Sequence, residues 1–310
     1  LAIEDLLLVI VMSFNIIGIG EILWDLLPSG KQLGGAPANF AFHARGLGAR
    51  SRVISRVGRD PLGAEILQRL GALGLPIADI QVDPSAPTGT VSVELLAGGQ
   101  PRFTIHEDVA WDRLAVEATA LAAVAEADAV CFGTLAQRRE PARGTIQALL
   151  AAVRPGALRI LDINLRQHYY SRDIIESSLR LANVLKCNDA ELPVLAEMLG
   201  LRGSARGQME QLARRHALRL VCLTRGAQGS LLYAGGQWAG DPGEPVVVKD
   251  TVGAGDAFTA ALAVGMLAGK PLDAISRRAN QVARYVCSCE GATPPLPEFS
   301  EPHAANMSQR

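Results

Sequence analysis

Asp250-Thr251-Val252-Gly253-Ala254-Gly255-Asp256-Ala257-Phe258 sets two glycines and an acid where an extended segment gives way to an apolar helix. Gly253 and Gly255 let the backbone turn with its N–H groups facing one way, and the helix predicted from about Asp256 to Ala268 adds the positive end of its dipole. Together, the amides from Gly253 through Ala254 and Gly255 to Asp256 make a candidate anion hole. Asp256, at the helix start, is placed to take a proton from an attacking hydroxyl, so the segment suits phosphoryl transfer. An ordinary helix cap accounts for the same residues, since Asp favours the cap position and Gly favours turns.

A second segment, Gly34-Gly35-Ala36-Pro37-Ala38-Asn39-Phe40-Ala41-Phe42-His43-Ala44-Arg45-Gly46-Leu47-Gly48, again sets paired glycines before a helix, with Pro37 suited to its first turn and Asn39 near its start. The two segments, in this order and about two hundred residues apart, resemble the two signature motifs of the ribokinase-like (PfkB) carbohydrate kinases. The resemblance runs from about Ile16 to Pro297, nearly the whole chain. It implies ATP, magnesium and a small sugar as ligands, and transfer of the γ-phosphoryl group to a sugar hydroxyl with Asp256 as base.

Composition agrees with a globular enzyme. The 310 residues are 49% hydrophobic, enough for a sizeable core, and 30 basic against 31 acidic side chains create no field for nucleic acid or an anionic membrane. Cys131, Cys187, Cys222, Cys287 and Cys289 are odd in number and several lie in apolar runs, which reads as buried thiols in a reducing cytoplasm. Cys287-Ser288-Cys289 lacks the second cluster that a metal site needs. The apolar run Leu6 to Met12 follows acids and is too short to span a bilayer, so residues 1–11 read as an upstream extension to a kinase domain over 12–310.

Strand-length apolar runs at Ile16–Gly20, Arg52–Val57, Ala129–Gly133, Leu158–Ile163, Val184–Cys187 and Leu218–Leu223 alternate with helical patterns. That alternation predicts an α/β fold, a central and mainly parallel sheet with helices on both faces and ligands at the carboxyl ends of its strands. Thr90 to His106 breaks the pattern with two short strands about a glycine-containing turn, a hairpin standing apart from the main sheet. By resemblance it belongs to a small β lid, roughly 88–108, over the sugar site, with Phe103 as a wall; a homodimer through such a lid is compatible with the resemblance.

Other site residues come from the resemblance, each with an alternative structural role. Asp25 matches an early acid that accepts hydrogen bonds from sugar hydroxyls, and otherwise reads as a turn residue before Pro28. Gly34 and Gly35 permit close approach of substrate, and Asn39 can donate and accept. Arg166 in Asp162-Ile163-Asn164-Leu165-Arg166 is placed to clamp a phosphate or substrate oxygen, or faces solvent; Gln137 and Arg138 lie near the same level as weaker candidates.

For the nucleotide, Asn188-Asp189-Ala190-Glu191 matches an N-x-x-E motif whose acid acts on magnesium through water, and also fits a helix cap pair. Thr224-Arg225-Gly226-Ala227-Gln228-Gly229 resembles the nucleotide loop, and Asn280 lies where the adenine pocket is built. Asp250 and the carbonyl of Val252, with carbonyls from about Cys287 to Gly291, would hold potassium as an activator.

Gly265 to Lys270 fails as a P-loop, because Pro271 replaces the magnesium-binding hydroxyl and the segment ends a helix. Gly18-Ile19-Gly20 lacks the third glycine and the distal acid of a dinucleotide fingerprint. Fructokinases are the most similar members, through Gly20-Glu21-Ile22-Leu23-Trp24-Asp25, Gly34 to Asn39 and Asn164-Leu165-Arg166. Ribokinase, ketodeoxygluconate kinase and nucleoside kinase stay open, as do a catalytically silent sugar-binding protein and a dehydrogenase.

Overall fold

The computed structural model describes residues 13–28, 30–95 and 101–299; the expected extension at 1–11 and residues 96–100, where the sequence reading put a glycine-containing turn, lie outside them. Nine strands form the main sheet in the spatial order β13 (Gln237–Asp241), β12 (Ser230–Ala234), β11 (Leu220–Thr224), β10 (Val184–Asn188), β9 (Leu158–Asp162), β8 (Ala129–Phe132), β1 (Asn15–Ile19), β4 (Arg50–Gly58) and β5 (Ile80–Asp83). From β11 to β5 every pairing is parallel, and the β11–β12 and β12–β13 pairings are antiparallel, so that β12 alone runs against the rest. The six runs predicted as strands all lie here, with ends moved by a few residues.

The sheet is buried on both faces, which is why its strands read as continuous apolar runs rather than alternating ones. On one face Ile16, Ala129, Cys131, Ile160, Val184 and Cys222 pack with α1 (Ala36–Gly46), α8 (Ala254–Leu267) and α9 (Leu272–Cys287). On the other, Ile17, Val130, Phe132, Leu161, Leu185 and Val221 meet α3 (Ala118–Ala125), α4 (Ala142–Ala152), α5 (Arg172–Leu181), α6 (Glu191–Leu199) and α7 (Ala205–Arg215). A third cluster joins Val53 and Val57 of β4 to Ile66 and Leu70 of α2 (Pro61–Ala72). Asp60 caps α2 through Gly63 and also accepts from the amide and hydroxyl of Thr88, which pins the entry to the second sheet.

That second sheet has four strands in the order β3 (Gly30–Gly34), β2 (Leu23–Leu27), β6 (Gly89–Leu95) and β7 (Pro101–Ile105). The expected hairpin supplies β6 and β7. Its neighbours β2 and β3 were not expected as strands, and Asp25 consequently sits within a strand, not in a turn before Pro28. The run Leu23-Trp24-Asp25-Leu26-Leu27 carries no alternation, because Trp24 is buried against α2 while Asp25 to Leu27 are only half-buried.

Both rejected nucleotide motifs are accounted for by local structure. Gly265 lies in the last turn of α8 with Lys270 beyond it, and no helix opens after Gly20, since α1 starts only at Ala36. Gly18 has a different use. A Cβ there would lie 2.2 Å from the carbonyl oxygen of Pro37, so only glycine in β1 lets the first turn of α1 settle on the sheet. Gly18→Ala should displace that turn and cost about 1–3 kcal/mol, as overpacking does, measured as a lower denaturation midpoint in urea with an unchanged slope.

Candidate active site

The parallel strands β1, β8, β9, β10 and β11 all end on one side of the sheet, and the helix α8 begins there. Gly253 precedes α8 with φ 79°, a left-handed conformation, and a Cβ on it would meet the Ala292 carbonyl oxygen at 2.4 Å. Glycine is therefore required twice over, by dihedral angle and by space. The helix starts at Ala254, two residues before the sequence placed it, so Asp256 stands in its first turn; the Ala254 amide donates to the Thr251 carbonyl, which leaves the amides of Gly255 and Asp256 to face an anion.

Asn39 of α1 donates from Nδ2 to Asp256 Oδ2 at 2.8 Å, joining the two glycine-rich segments that the sequence singled out. Asn39 is buried and Asp256 is half-buried, with an edge left open to the cleft. Burial first, and the Asp162 carboxylate second, push the Asp256 carboxyl up to about 7, against the Asn39 hydrogen bond and the charges of Lys186 and Arg166. The open edge tempers the burial effect, but the neighbouring carboxylate acts in the same upward direction.

Beneath Asp256 lies a buried ion pair. Lys186 Nζ is 3.0 Å from Asp162 Oδ1, and Thr259 of α8 donates to Asp162 Oδ2 at 2.8 Å. Burial alone would lower Lys186, yet the carboxylates of Asp162 and Glu191 outweigh it and hold the ammonium well above its ordinary value. The same ammonium would be 3.1 Å from a Cβ on Gly255, so its charge lies directly below the first turn of α8.

On the cleft side, Arg166 follows β9 on an exposed loop in which Asn164 and Gln167 have φ of 42° and 48°. Its positive charge lowers the proton affinity of Glu21, Asp25 and Asp256 together, which brings four of the chain's charged groups to one place. Asp25 stands opposite Gln32 in the β2–β3 pair and its side chain reaches Gly34, where a Cβ would come within 2.4 Å of its Oδ2; burial raises its carboxyl to about 6. Gly35 has φ 117°, and a Cβ on it would press on the Glu21 carbonyl oxygen at 2.6 Å. Phe103 is 51% exposed, and the Gln167 side chain donates to its carbonyl at 2.7 Å, so the loop bearing Arg166 is tied to β7. Arg138 is buried and bidentate to Asp112, between the rings of Trp111 and Tyr169, and buried Gln137 bonds to Gly133 and Ser178; both hold loops in place.

Further along the sheet, the side chain of Asn188 accepts from the amides of Ala190 and Glu191, and the Glu191 carboxylate accepts from those of Asn188 and Leu165. The capping role that the sequence allowed for this pair is thus realised, and Glu191 is buried. Each of its oxygens keeps a second lone pair, which fits a magnesium held through water better than a direct bond. Thr224 ends β11, Gly226 and Gly229 make the turn into β12 with φ of 52° and 72°, and Asn280 of α9 donates to Ser230 beside it at 2.7 Å.

Asp250 accepts from the amides of Val252 and Gly291, and the Cys287 carbonyl accepts from Lys249 and Asp250, which draws the expected potassium segment into one turn. Among the described residues no cluster of metal-ligating side chains occurs. Cys131, Cys187 and Cys222 are buried, but Cys287 and Cys289 are only partly so. No helix among the described residues is long and apolar enough to cross a membrane.

Sequence reasoning passed over Lys186 and Glu21. A signal existed for the first: Lys186 is the one charged residue in the run Val184-Leu185-Lys186-Cys187, where only a paired charge can be buried. Lys186→Met leaves Asp162 uncompensated and should cost about 3–5 kcal/mol of stability; adding Asp162→Asn should restore most of it. Denaturant unfolding of the single and double variants measures both.

Residues 29–298 match the pfkB family carbohydrate kinase model. An uncharacterized sugar kinase from Pyrococcus horikoshii is 32% identical, over 89% of this chain and 91% of its own. A fructokinase from Klebsiella pneumoniae is also 32% identical, over 83% and 86%. The Pyrococcus structure in complex with ATP superposes with a TM-score of 0.77 over 90% of this chain and 94% of its own, at 31% identity. A fructokinase from Vibrio cholerae bound to fructose, ADP and calcium gives 0.77 over 93% and 96%, at 26% identity. A family match spanning both glycine-rich segments, on a sheet whose strand ends carry their paired side chains, means that this chain belongs to the PfkB family of carbohydrate kinases.

Proposed function

We propose that, within the ATP-dependent sugar kinases of this family, the chain is a fructokinase that converts D-fructose to fructose 6-phosphate. The observation that carries the catalytic part is the hydrogen bond from Asn39 to Asp256, which fixes a carboxylate with raised proton affinity at the start of α8. The sugar assignment rests on fructokinase relatives near 30% identity from bacteria and plants and on the segments around Asp25, Asn39 and Arg166.

In this reading Asp25 and Asn39 hold sugar hydroxyls, and the four-stranded sheet with Phe103 covers them as a lid that excludes water. Asp256 accepts the proton of the attacking hydroxyl as that oxygen bonds to the γ-phosphorus and the bond to the β,γ-bridging oxygen breaks, its electrons leaving with ADP. The amides at Gly253, Gly255 and Asp256, with Lys186 below them, offset the negative charge on the transferring group, while that of Ala254 holds the turn through the Thr251 carbonyl. Arg166 clamps a phosphate or sugar oxygen. Asn188, Thr224, Gly226, Gly229 and Asn280 line the nucleotide side. Glu191 would hold magnesium through water, and the metal would supply positive charge to the nucleotide phosphates. Asp250 and the Val252 carbonyl would hold potassium, which would supply a fixed charge beside the anion loop, so activity should be higher in potassium than in a bulky organic cation.

Asp256→Asn should keep the fold and lower turnover by roughly 10²- to 10⁴-fold. Because Asp256 works only without its proton and holds that proton up to about 7, kcat/KM of the wild type should climb as pH rises through that value and flatten above it. A panel of fructose, ribose, ketodeoxygluconate, glucose and adenosine, followed by ADP release with ATP and magnesium, should give fructose the highest kcat/KM. A preference for ribose or ketodeoxygluconate would replace the sugar assignment, and silence with every acceptor would replace the catalytic one.

A further inference from the structure

Glu21 follows β1 in the segment that leads to β2, is 4% exposed, and its Oε2 has no hydrogen-bond partner. Such a carboxyl oxygen costs free energy unless something in its surroundings accepts or donates. Its surroundings are a small cavity lined by Glu21, Pro37, Phe40, Cys131, Asp162 and Asp256, with about 10 Å³ of room for the centre of a water molecule. That is the space one water requires, and carboxyl oxygens supply its polar partners. The cavity therefore sets a second acid beside the proposed base.

The remaining polar groups at the cavity are already committed. Asp162 is held by Lys186 at Oδ1 and by Thr259 at Oδ2, so both of its oxygens are paired. The Cys131 thiol is kept protonated by burial and by the charges of Asp162 and Asp256. From the flanking loops, Arg166 and Arg138 act on Glu21 at a distance without neutralising it: burial dominates and raises its carboxyl to about 7, beside an Asp256 raised to a similar value. From α1, Asn39 donates to Asp256 Oδ2.

We propose that Glu21 is a positioning residue that shares a proton with Asp256 through a single water molecule in this cavity. The inference rests on Asp256 being the base of the reaction. With one proton in the pair, that proton passes between the two carboxyls through the water, so Asp256 carries it part of the time and for the rest is ionised and oriented towards the sugar hydroxyl. When the hydroxyl proton arrives on Asp256 the pair becomes neutral and doubly protonated, the form that a poorly solvated site favours. One proton then leaves to solvent before the next turnover, so the pair returns to its starting charge.

Two carboxyls that share a cavity titrate as a pair, each raising the proton affinity of the other once ionised. With ATP, magnesium and whichever sugar of the panel is turned over fastest, Glu21→Gln should move the acid limb of kcat/KM down by about one pH unit and make it a single step, the scale at which two sites couple. Gln preserves the shape, so a purely structural role would change the rate without moving the limb. An unmoved limb in an active Glu21→Gln enzyme overturns the inference.

A second measurement does not depend on that variant's activity. In protein labelled with carbon-13 at the glutamate side-chain carboxyls, the Glu21 resonance, identified by its loss in Glu21→Gln, should have a midpoint above the ordinary range, and Asp256→Asn should lower that midpoint. A midpoint that stays put also overturns the inference. Failure of the base assignment is separately visible, since Asp256→Asn would then turn over like the wild type.

Discussion

Everything at the cleft depends on one hydrogen bond between residues 217 positions apart, from Asn39 to Asp256. It joins the first turns of two helices that start from opposite halves of the chain, and both helices are set by glycines with no room for a side chain. Gly18 lets α1 down onto β1, and Gly253 lets the turn before α8 pass the Ala292 carbonyl. The same carbonyl accepts from the buried His43 of α1 at 2.9 Å, so α1 holds the anion loop at a second point one turn further along. Burial keeps that imidazole neutral, its proton affinity lowered to about 4, and a neutral ring is the form that needs no counter-charge there.

A second constraint is charge. Asp162, Asp256, Glu21 and Glu191 converge at the ends of neighbouring strands, and like charges at this spacing cannot all stay ionised without compensation. Lys186 compensates from below and Arg166 from the open side. The consequence is a division of labour by environment: Asp162 is paired and fixed, Glu191 is spent on two backbone amides, and Asp256 is left with a raised proton affinity and an open edge. The chemistry asked of Asp256 follows from what its neighbours have already taken.

The strand runs and the two glycine segments were legible because burial on both faces of a parallel sheet leaves an apolar signature, and because a turn into a helix needs glycine wherever it occurs. The strands β2 and β3 were not. Gly30-Lys31-Gln32-Leu33-Gly34 has no apolar period, since Gly30 to Gln32 are exposed and β3 pairs with β2 through backbone hydrogen bonds, with Lys31 laid over the Trp24 ring and Leu33 alone packed against the core. Glu21 gave no signal either: a glutamate beside glycine reads as a solvated loop residue, and its burial arises from α1 crossing over it, a contact between distant segments. Asn188 and Glu191 show the reverse case, in which both readings of one motif coexist, because a carboxylate capping a helix still has lone pairs to offer a hydrated cation.

The four-stranded sheet is bound to the body by the loop that carries Arg166. Gln167 bonds to the Phe103 carbonyl, Tyr169 to the Ile105 carbonyl and Glu107, and Arg138 to the His106 carbonyl, so β7 and its exit are held at successive points. Asn164 and Gln167 hold the loop in left-handed conformations, which Asn tolerates and Gln does not favour, so the bond to β7 helps keep the loop shaped. Any movement of β7 therefore pulls on the segment that places the Arg166 guanidinium among Glu21, Asp25 and Asp256. Under the proposed function, covering the sugar and tuning the acid that activates it become one event: the tethers between the sheet and the loop also set the positive charge that draws the proton affinity of these carboxyl groups back towards the ordinary range.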